Sequence, residues 1–374
     1  MTQKDANLTS DVFFTDFHTT LSENLLDKLK RLVLKAGFNK IDFNGKFSAI
    51  KIHFGEPGNL AFLRPNFSKV IVDLIKQNGG KVFLTDANTL YVGQRKNALD
   101  HLNAAYLNGY SPFSTGAYII IADGLKGTDE TLVDLPDGTY VKQAKIGRAL
   151  MDADIVISLT HFKGHEMTGF GGALKNLGMG GGSRAGKMEM HSAGKPSVNQ
   201  ERCIGCGACV RICAHDAPTI KNKKASIDQN KCVGCGRCIG VCPKDAIEAA
   251  GDETCEILNY KIAEYTAAIV RGRPAFHISF VMDVSPCCDC HAENDVPIVD
   301  DIGMFASFDP VAIDQACCDA VNAAPVLKGS CLYDKPQTTG DHFKDLHPMT
   351  DWTTQLEHAQ KLGLGTRKYN LIKI

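Results

Sequence analysis

Two cysteine runs with identical spacing constrain this sequence more than any other feature. The first run begins at Cys203 and the second at Cys232, and each follows the pattern C-x2-C-x2-C-x3-C. Three thiolates at that spacing fit three corners of an iron–sulfur cubane on one tight loop, and the fourth ligand then comes from the other run. The spacing therefore predicts that the two loops lie together in the fold.

This interleaving predicts two ligand sets, each holding one [4Fe-4S] cluster. The first set is Cys203, Cys206, Cys209 and Cys242, and the second set is Cys232, Cys235, Cys238 and Cys213. The glycines at 205, 207, 234 and 236 let each loop wrap closely and turn its backbone N–H groups toward the sulfurs. Zinc is the alternative, because C-x2-C pairs also bind it, but a zinc site does not need four cysteines crowded into each run.

The two runs resemble those of bacterial two-cluster ferredoxins over residues 196–250. One departure is Ala214, since only the second run is followed by the usual proline, Pro243. Such clusters move one electron at a time and have no substrate-binding group of their own. The resemblance therefore implies that they supply or remove electrons for chemistry elsewhere in the chain.

Length and composition limit the classes of protein to consider. A chain of 374 residues is too long to be only an electron carrier, and its net charge of −1 makes nucleic acid an unlikely partner. The first residues lack the features of a signal peptide, and no apolar run approaches the ~20 residues of a membrane helix. We expect a soluble, cytoplasmic protein whose cysteines are reduced thiolates for metal, with no membrane partner.

Apolar strands alternate with amphipathic helical stretches from Val12 to about Leu159, and the pattern resumes after the cysteine region. This alternation predicts an α/β fold with a largely parallel sheet covered by helices. The predicted organisation is an α/β host in two parts, residues 1–195 and 251–374, interrupted by an α+β ferredoxin-like insert at 196–250.

A glycine-rich segment follows the predicted strand DIVISLTHF, where ligands bind in α/β sheets. Its glycines permit close backbone approach, and its lysines supply positive charge for an anionic small molecule. The predicted binding residues are Lys163, Gly171, Gly172, Asn176 and Lys187. Two alternatives stay open: a flexible glycine-rich turn with solvated lysines, and a helix on which His161 and His165 bind zinc.

Two family resemblances centre on this segment. The string HFKGHEMTGFGGALKNLGMG, with KIHFGEPGN before it and FASFDPVAIDQAC after it, resembles the iron–sulfur center proteins of the domain of unknown function 362 family. The order of His165, the glycines, Lys175 and His191 is similar to that in the lactate racemase family. That likeness implies that Lys175 anchors a nickel cofactor, His191 is a metal ligand and His165 is a proton-transfer base.

Further candidate site residues lie at other predicted strand ends. His53 ends the strand FSAIKIHF, and with His161, His165 and Lys175 it completes the predicted catalytic set. A cysteine-rich pentapeptide follows the strand FHISFVMDV, and its soft donors could bind zinc or iron, form a redox-active thiol pair, or stay unliganded. Its candidate ligands are Cys287, Cys288, Cys290 and His291.

The leading hypothesis is an iron–sulfur oxidoreductase or electron-transfer protein. In it the clusters exchange electrons with an anionic substrate or cofactor held by the host, and a redox partner protein or small donor completes the circuit. The alternatives are a lactate-racemase-like isomerase or other metallocofactor enzyme, with an additional zinc, iron or nickel, and an electron-carrying adaptor without catalysis.

Overall fold

The computed structural model describes residues 9–90, 93–191, 195–249 and 254–374. Within those ranges one eight-stranded sheet forms the centre of the molecule, in the order β16-β1-β15-β14-β7-β2-β3-β4. Its strands are β1 (Ser10–Thr15), β2 (Phe47–Lys51), β3 (Lys81–Asp86), β4 (Tyr118–Ile121), β7 (Ile155–His161), β14 (Ala275–Val281), β15 (Gly303–Ser307) and β16 (Tyr369–Lys373).

Among the eight strands of this sheet only β15 runs opposite to the others, because it pairs antiparallel with both β14 and β1. All remaining neighbours pair in parallel. The prediction of an α/β fold with a largely parallel sheet is confirmed. The carboxyl ends of β2, β3, β7 and β14 consequently meet at one edge of the sheet, which is where a ligand site forms in such folds.

The smaller sheets are two-stranded and lie outside the central one. In the host they are formed by β5 (Glu130–Asp134) with β6 (Gln143–Gly147) and by β8 (Lys163–His165) with β9 (Gly169–Gly171). Near the cysteines they are formed by β10 (Pro196–Val198) with β13 (Ile247–Ala249) and by β11 (Pro218–Lys221) with β12 (Lys224–Ile227).

Helices cover both faces of the central sheet. The helices of the host are α1 (Leu25–Lys35), α2 (Pro65–Gln77), α3 (Ala98–Leu107), α4 (Pro112–Thr115), α5 (Arg148–Met151), α6 (Ala173–Gly181), α7 (Arg184–His191), α10 (Cys255–Val270), α11 (Pro310–Ala323), α12 (His342–Leu346) and α13 (Thr353–Lys361), with a 3-10 turn at Phe38–Lys40. Two short helices, α8 (Ala208–Ile212) and α9 (Arg237–Gly240), lie in the cysteine-containing segment.

Alternation along the central strands separates the two cores. Ile50 and Ile157 point to the α1 and α2 side, while their neighbours Ala49 and Val156 point to the side covered by α6 and α10. A third apolar cluster lies around α11 and α13. Burial on both faces explains why β7 is buried along its whole length.

The glycine-rich segment is more regular than a loop. The alternative of a flexible glycine-rich turn is wrong, because these residues form the β8–β9 hairpin and the helices α6 and α7. The glycines serve close packing: a methyl group at Gly178 would overlap the carbonyl oxygen of Ile262 on α10, and one at Gly172 would overlap the carboxylate of Asp314 on α11. His161 and His165 lie on β7 and β8, so the alternative of a zinc-binding helix is wrong.

The cysteine-containing segment begins and ends side by side, because Pro196 of β10 is paired with Ala249 of β13. Its contacts with the host include an ion pair between Lys96 and Asp245 and an apolar cluster in which Met188 of α7 joins residues of the segment. The boundary predicted at residue 250 lies outside the described ranges. No helix in the described ranges is both long enough and apolar enough to cross a bilayer.

Candidate functional site

The largest concentration of buried charge lies in a cavity at the carboxyl ends of β2, β3 and β7. The space between its side chains is about 680 Å³, part of it open to solvent. Its lining includes the predicted site residues His53, Lys163, His165, Gly171, Gly172, Lys175, Asn176, Lys187 and His191, together with Lys51, Asp86, Arg95, Cys288 and Cys290. The sheet therefore brings most of the residues singled out in the sequence to one place.

Two ion pairs fix one wall of the cavity. Lys51 Nζ lies 2.9 Å from Asp86 Oδ1 and donates to Asn176 Oδ1 at 3.0 Å. The Asn176 amide in turn donates to the carbonyl oxygens of Lys51 and Leu159, which attaches α6 to β2 and β7. Asn176, predicted to bind a cofactor, thus holds the α6 backbone against the sheet, and Lys51 is already neutralised by its carboxylate.

Arg95 forms the second ion pair, and the sequence did not predict it as a site residue. Its Nε lies 2.7 Å from Glu56 Oε2, and its Nη1 lies 2.9 Å from His53 Nε2. His53 Nδ1 also accepts a hydrogen bond from the Gly55 N–H. Burial, and next the charge of Arg95, lower the pKa of His53 well below its usual value, so this histidine is neutral. No sequence pattern marks Arg95, because it lies in a loop without periodicity.

His161 occupies a position beneath the cavity and does not line it. Its Nδ1 lies 2.9 Å from Asp289 Oδ2, and its Nε2 lies 2.8 Å from the carbonyl oxygen of Met282. Lys163 Nζ lies 3.3 Å from the same Asp289 oxygen. Asp289 is fully buried, and although burial raises its pKa, the charges of His161 and Lys163 hold it below the usual value. His161 therefore orients Asp289 and Lys163.

The cysteine-rich pentapeptide sends two of its four candidate ligands into the cavity. Cys288 and Cys290 line it, whereas His291 is partly exposed and lies 3.1 Å from Glu166 Oε1. Cys287 does not line it either. No group of three or more His, Cys, Asp or Glu side chains in the described ranges is arranged around a single metal ion. Metal binding by these residues and by His191 stays a prediction.

Lys175 and Cys288 lie side by side in the cavity. Lys175 Nζ donates to Cys288 Sγ at 3.4 Å. A hydrogen bond with Cys290 and the charge of Lys175 lower the pKa of Cys288 well below the usual thiol value, against the opposing effect of burial. Burial alone would lower the pKa of Lys175, but the charges of Cys288 and Cys290 raise it. These two shifts favour the thiolate form of Cys288 and the ammonium form of Lys175.

His165 faces this pair from the hairpin. Its Nδ1 accepts hydrogen bonds from the N–H groups of Met167 and Thr168, both at 3.1 Å, which leaves Nε2 as the nitrogen that carries the proton in the neutral ring. Nε2 lies 3.8 Å from Glu166 Oε1, and the ring lines the same cavity as Cys288 and Lys175. A ring N–H therefore lies in the same cavity as the thiol and the lysine.

Helix α7 closes the opposite wall. Lys187 Nζ donates to the carbonyl oxygens of Gly182 and Gly180, at 2.5 and 3.4 Å. Burial lowers its pKa to about 8, although the charge of Asp123 opposes this. Burial, followed by the charges of His165 and Lys175, lowers the pKa of His191 to about 3, so His191 is neutral.

The eight cysteines of the two runs surround two smaller cavities. One is lined by Cys203, Cys206, Cys209 and Cys242, and the other by Cys213, Cys232, Cys235 and Cys238. These are the two interleaved sets expected from the spacing. The N–H groups of Ala225 and Ala246 donate to Cys203 Sγ and Cys242 Sγ, both at 3.2 Å. Cubane ligands are spread over four irons, so four cysteines lining a shared cavity fit such a group.

The comparisons with known proteins give a family. Residues 49–319 match the model of a family described as Domain of unknown function (DUF362), which covers well over half of the chain. The chain belongs to the DUF362 family. No curated protein matches the sequence.

Two solved structures share a distant likeness with this DUF362 chain, each at 13% identity. A protein from Thermotoga maritima has a TM-score of 0.44, with 83% of this chain and 60% of that one covered. The lactate racemase apoprotein from Thermoanaerobacterium thermosaccharolyticum has a TM-score of 0.35, with 74% and 51% covered. This chain thus spans about half to three fifths of their length.

Proposed function

We propose that this DUF362 protein is an iron–sulfur oxidoreductase in which two [4Fe-4S] clusters exchange electrons with an anionic ligand in the host cavity. When bound, the clusters would accept or release one electron each. The fit of the chain to them rests on the two cavities, each lined by four cysteines. The backbone of the loop glycines 205, 207, 234 and 236 supports this fit as well. Each has a positive φ, which allows the loops to curl around the cavities.

The observation that carries the proposal is the position of α7. Residues four apart lie on one face of a helix, and the two faces of α7 serve different sites. Lys187 and His191 line the host cavity, whereas Met188 lies in the apolar cluster that contains Cys203 and Cys209. One helix of eight residues therefore contacts both the host cavity and the apolar cluster that contains two cysteines of the first ligand set.

The charges of the host cavity favour an anion. Lys51, Lys163 and Arg95 already lie beside the carboxylates of Asp86, Asp289 and Glu56. Lys187, by contrast, has no carboxylate within ion-pair distance among the described residues, and Lys175 faces a sulfur atom. A carboxylate or phosphate group between these two lysines would gain charge-assisted hydrogen bonds that the protein itself does not supply.

The cavity also holds groups for proton transfer. His165 presents one ring nitrogen toward the Cys288 thiolate while its other nitrogen is fixed by backbone N–H groups. We infer that His165 moves a proton to or from the ligand and that Lys175 orients the ligand's negative charge. A redox partner protein or a small donor would load or unload the clusters.

The test is an anaerobic screen of small carboxylates and phosphate esters. We expect at least one anion both to raise the melting temperature and to reoxidise the dithionite-reduced protein, seen as recovery of cluster absorbance. Lys175→Met should lose both effects, and the matched control Lys30→Met, on the exposed face of α1, should keep both. A Lys175→Met protein that responds like the wild type would refute the cavity as the reaction site.

A metallocofactor enzyme is the second candidate, because soft donors converge on one side of the cavity. Cys288, Cys290, His165 and His191 all line it, with Lys175 beside Cys288. Such donors suit nickel, zinc or iron. Nickel or zinc near one atom per chain, or an added mass on Lys175 in the intact protein, would favour this candidate. A protein that retains its iron but has no nickel, no zinc and no added mass on Lys175 would exclude the metallocofactor candidate.

A further inference from the structure

Arg184 is a fully buried arginine at the boundary between the host and the cysteine-containing segment. It begins α7, and its backbone N–H donates to the carbonyl oxygen of Gly127 at 3.0 Å. The side chain donates one hydrogen bond from Nη2 to the carbonyl oxygen of Lys96. Arginine keeps its charge at any ordinary pH, so a cation is buried here.

The guanidinium group lies against the second cysteine loop. A methyl group on Gly240 would be 2.6 Å from Arg184 Nη1, and one on Gly236 would be 2.8 Å from Arg184 Cγ. Gly236 stands between Cys235 and Cys238 in the sequence, and the charged groups that act on Arg184 are Asp123, Cys238 and Cys235. Two glycines thus make room for an arginine from the host beside the ligands of one predicted cluster.

Two donors of this buried cation have no acceptor. Nε and Nη1 of Arg184 are inaccessible to water and find no hydrogen-bond partner among the described residues. Leaving charged donors unsatisfied inside a protein is costly, so a partner is expected that the polypeptide itself does not provide. The Nη1 end of the side chain lies against Gly240, which stands between Cys238 and Cys242 of the second run.

We propose that the buried charge of Arg184, packed against the loop that carries Cys235 and Cys238, raises the reduction potential of the cluster held by the second ligand set. Reduction adds one electron and one negative charge, which a buried guanidinium group nearby stabilises. The inference rests on the proposed function. A higher potential would make the second cluster, next to α7, the one that holds the electron after one-electron reduction.

An exposed arginine lies beside the first ligand set. Arg211, the arginine beside it, is exposed and donates from Nη1 to the carbonyl oxygen of Cys206 at 3.1 Å. Its charge is screened by water and its donor is already used. Arg211→Met is therefore the matched control for Arg184→Met.

The experiment is an anaerobic redox titration followed by electron paramagnetic resonance, with iron counted in each sample. Arg184→Met should lower the ratio of reduced to oxidised form of one cluster about tenfold at a fixed potential. This corresponds to a fall of about 59 mV in its one-electron reduction potential, and the potential of the other cluster should stay unchanged. Gly240→Ala, which displaces the guanidinium group without removing it, should shift the same cluster in the same direction. Arg184→Lys should shift it less, and Arg211→Met should shift neither.

The outcomes separate the inference from the proposal beneath it. Wild-type protein without iron would refute the proposed function itself. Iron-loaded Arg184→Met and Gly240→Ala proteins with unchanged potentials would refute the role of Arg184 alone. Loss of iron in all three variants at Arg184 and Gly240, with iron retained in the wild type, would make Arg184 a folding residue and would equally overturn the inference.

Discussion

At the scale of residues, the host cavity is organised by pairing most of its buried charges and leaving a few for a ligand. Lys51 is held by Asp86, and Lys163 by Asp289. Removing one partner of such a pair leaves an uncompensated buried charge, so these carboxylates are structural requirements of the site. Lys187 is the cation whose partner the ligand would supply.

Anion binding should depend on pH through Lys187. The pKa of Lys187 is lowered to about 8, so the side chain is charged below that pH and neutral above it. Lys175 stays charged because its pKa is raised, and His191 stays neutral because its pKa is about 3. Sulfate, which does not titrate in this range, should therefore bind up to about tenfold more weakly for each pH unit above about 8.

Isothermal titration calorimetry of sulfate binding to the anaerobic protein would measure this dependence. The titrations should cover roughly pH 6 to 10, a range centred on the lowered pKa of Lys187. Lys187→Met should bind weakly at every pH, and Lys30→Met should reproduce the wild-type curve. A wild-type affinity that stays constant across this range would show that Lys187 does not meet the anion.

Asp314 is a second residue on which the site depends. Its Oδ1 and Oδ2 accept the N–H groups of Ala173 and Leu174, at 2.6 and 3.0 Å, and so cap the first turn of α6, whose preceding residue is a glycine without a capping side chain. Asp314→Ala leaves these buried donors unsatisfied and should lower the free energy of unfolding by about 1–3 kcal/mol for each lost partner. Chemical denaturation measures it.

The control for this change is an acidic residue on the surface. Asp300 is exposed, and Asp300→Asn should change the free energy of unfolding by no more than about 0.5 kcal/mol. Equal effects of the two substitutions would mean that the α6 N-terminus is held by something other than Asp314.

At the scale of elements, α6 is held to α10 by glycines that other residues cannot replace. A side chain at Gly178 would meet the Ile262 carbonyl oxygen, and Thr266 Oγ1 at 2.8 Å. Thr266 Oγ1 itself donates to the carbonyl oxygen of Leu174 at 2.9 Å, so the two helices are joined at this level. The close approach sets the depth at which Lys175 enters the cavity.

Gly178→Ala should therefore force α6 away from α10. We expect a loss of about 1–3 kcal/mol in the free energy of unfolding, as for other overpacked contacts, together with a weaker response of the protein to its anion. Denaturation and sulfate titration of the same preparation test both parts. A stable variant with wild-type affinity would contradict the account of this contact.

At the scale of the whole molecule, the sequence predicts the host sheet and its helices well because their apolar periods are regular. The α6–α7 region escapes that reasoning, since its glycines resemble a loop in the sequence and only their contacts with α10 and α11 show a packed helix. Asp314 could have been predicted as a structural residue from the sequence, because it is an acidic residue on the buried face of an apolar helix. Arg95 could not, because the burial of a loop arginine depends on its ion pair with Glu56, which is far away in the sequence.

The two parts of the molecule should also separate chemically. Cys206→Ser combined with Cys235→Ser removes one ligand from each set and should abolish iron binding and cluster absorbance, while the circular dichroism of the host remains. Cys331→Ser, outside both runs, should retain the full iron content. Collapse of the host in the double variant would mean that the clusters hold the fold together.

The central claim is that eight cysteines hold two cubanes beside the host cavity, and the most direct test is the composition of the wild-type protein prepared without oxygen. Iron and acid-labile sulfide should each be present at about eight atoms per chain, with the brown colour of [4Fe-4S] clusters that bleaches on reduction. A colourless protein that contains zinc, or fewer than about four irons per chain after reconstitution, would contradict the account.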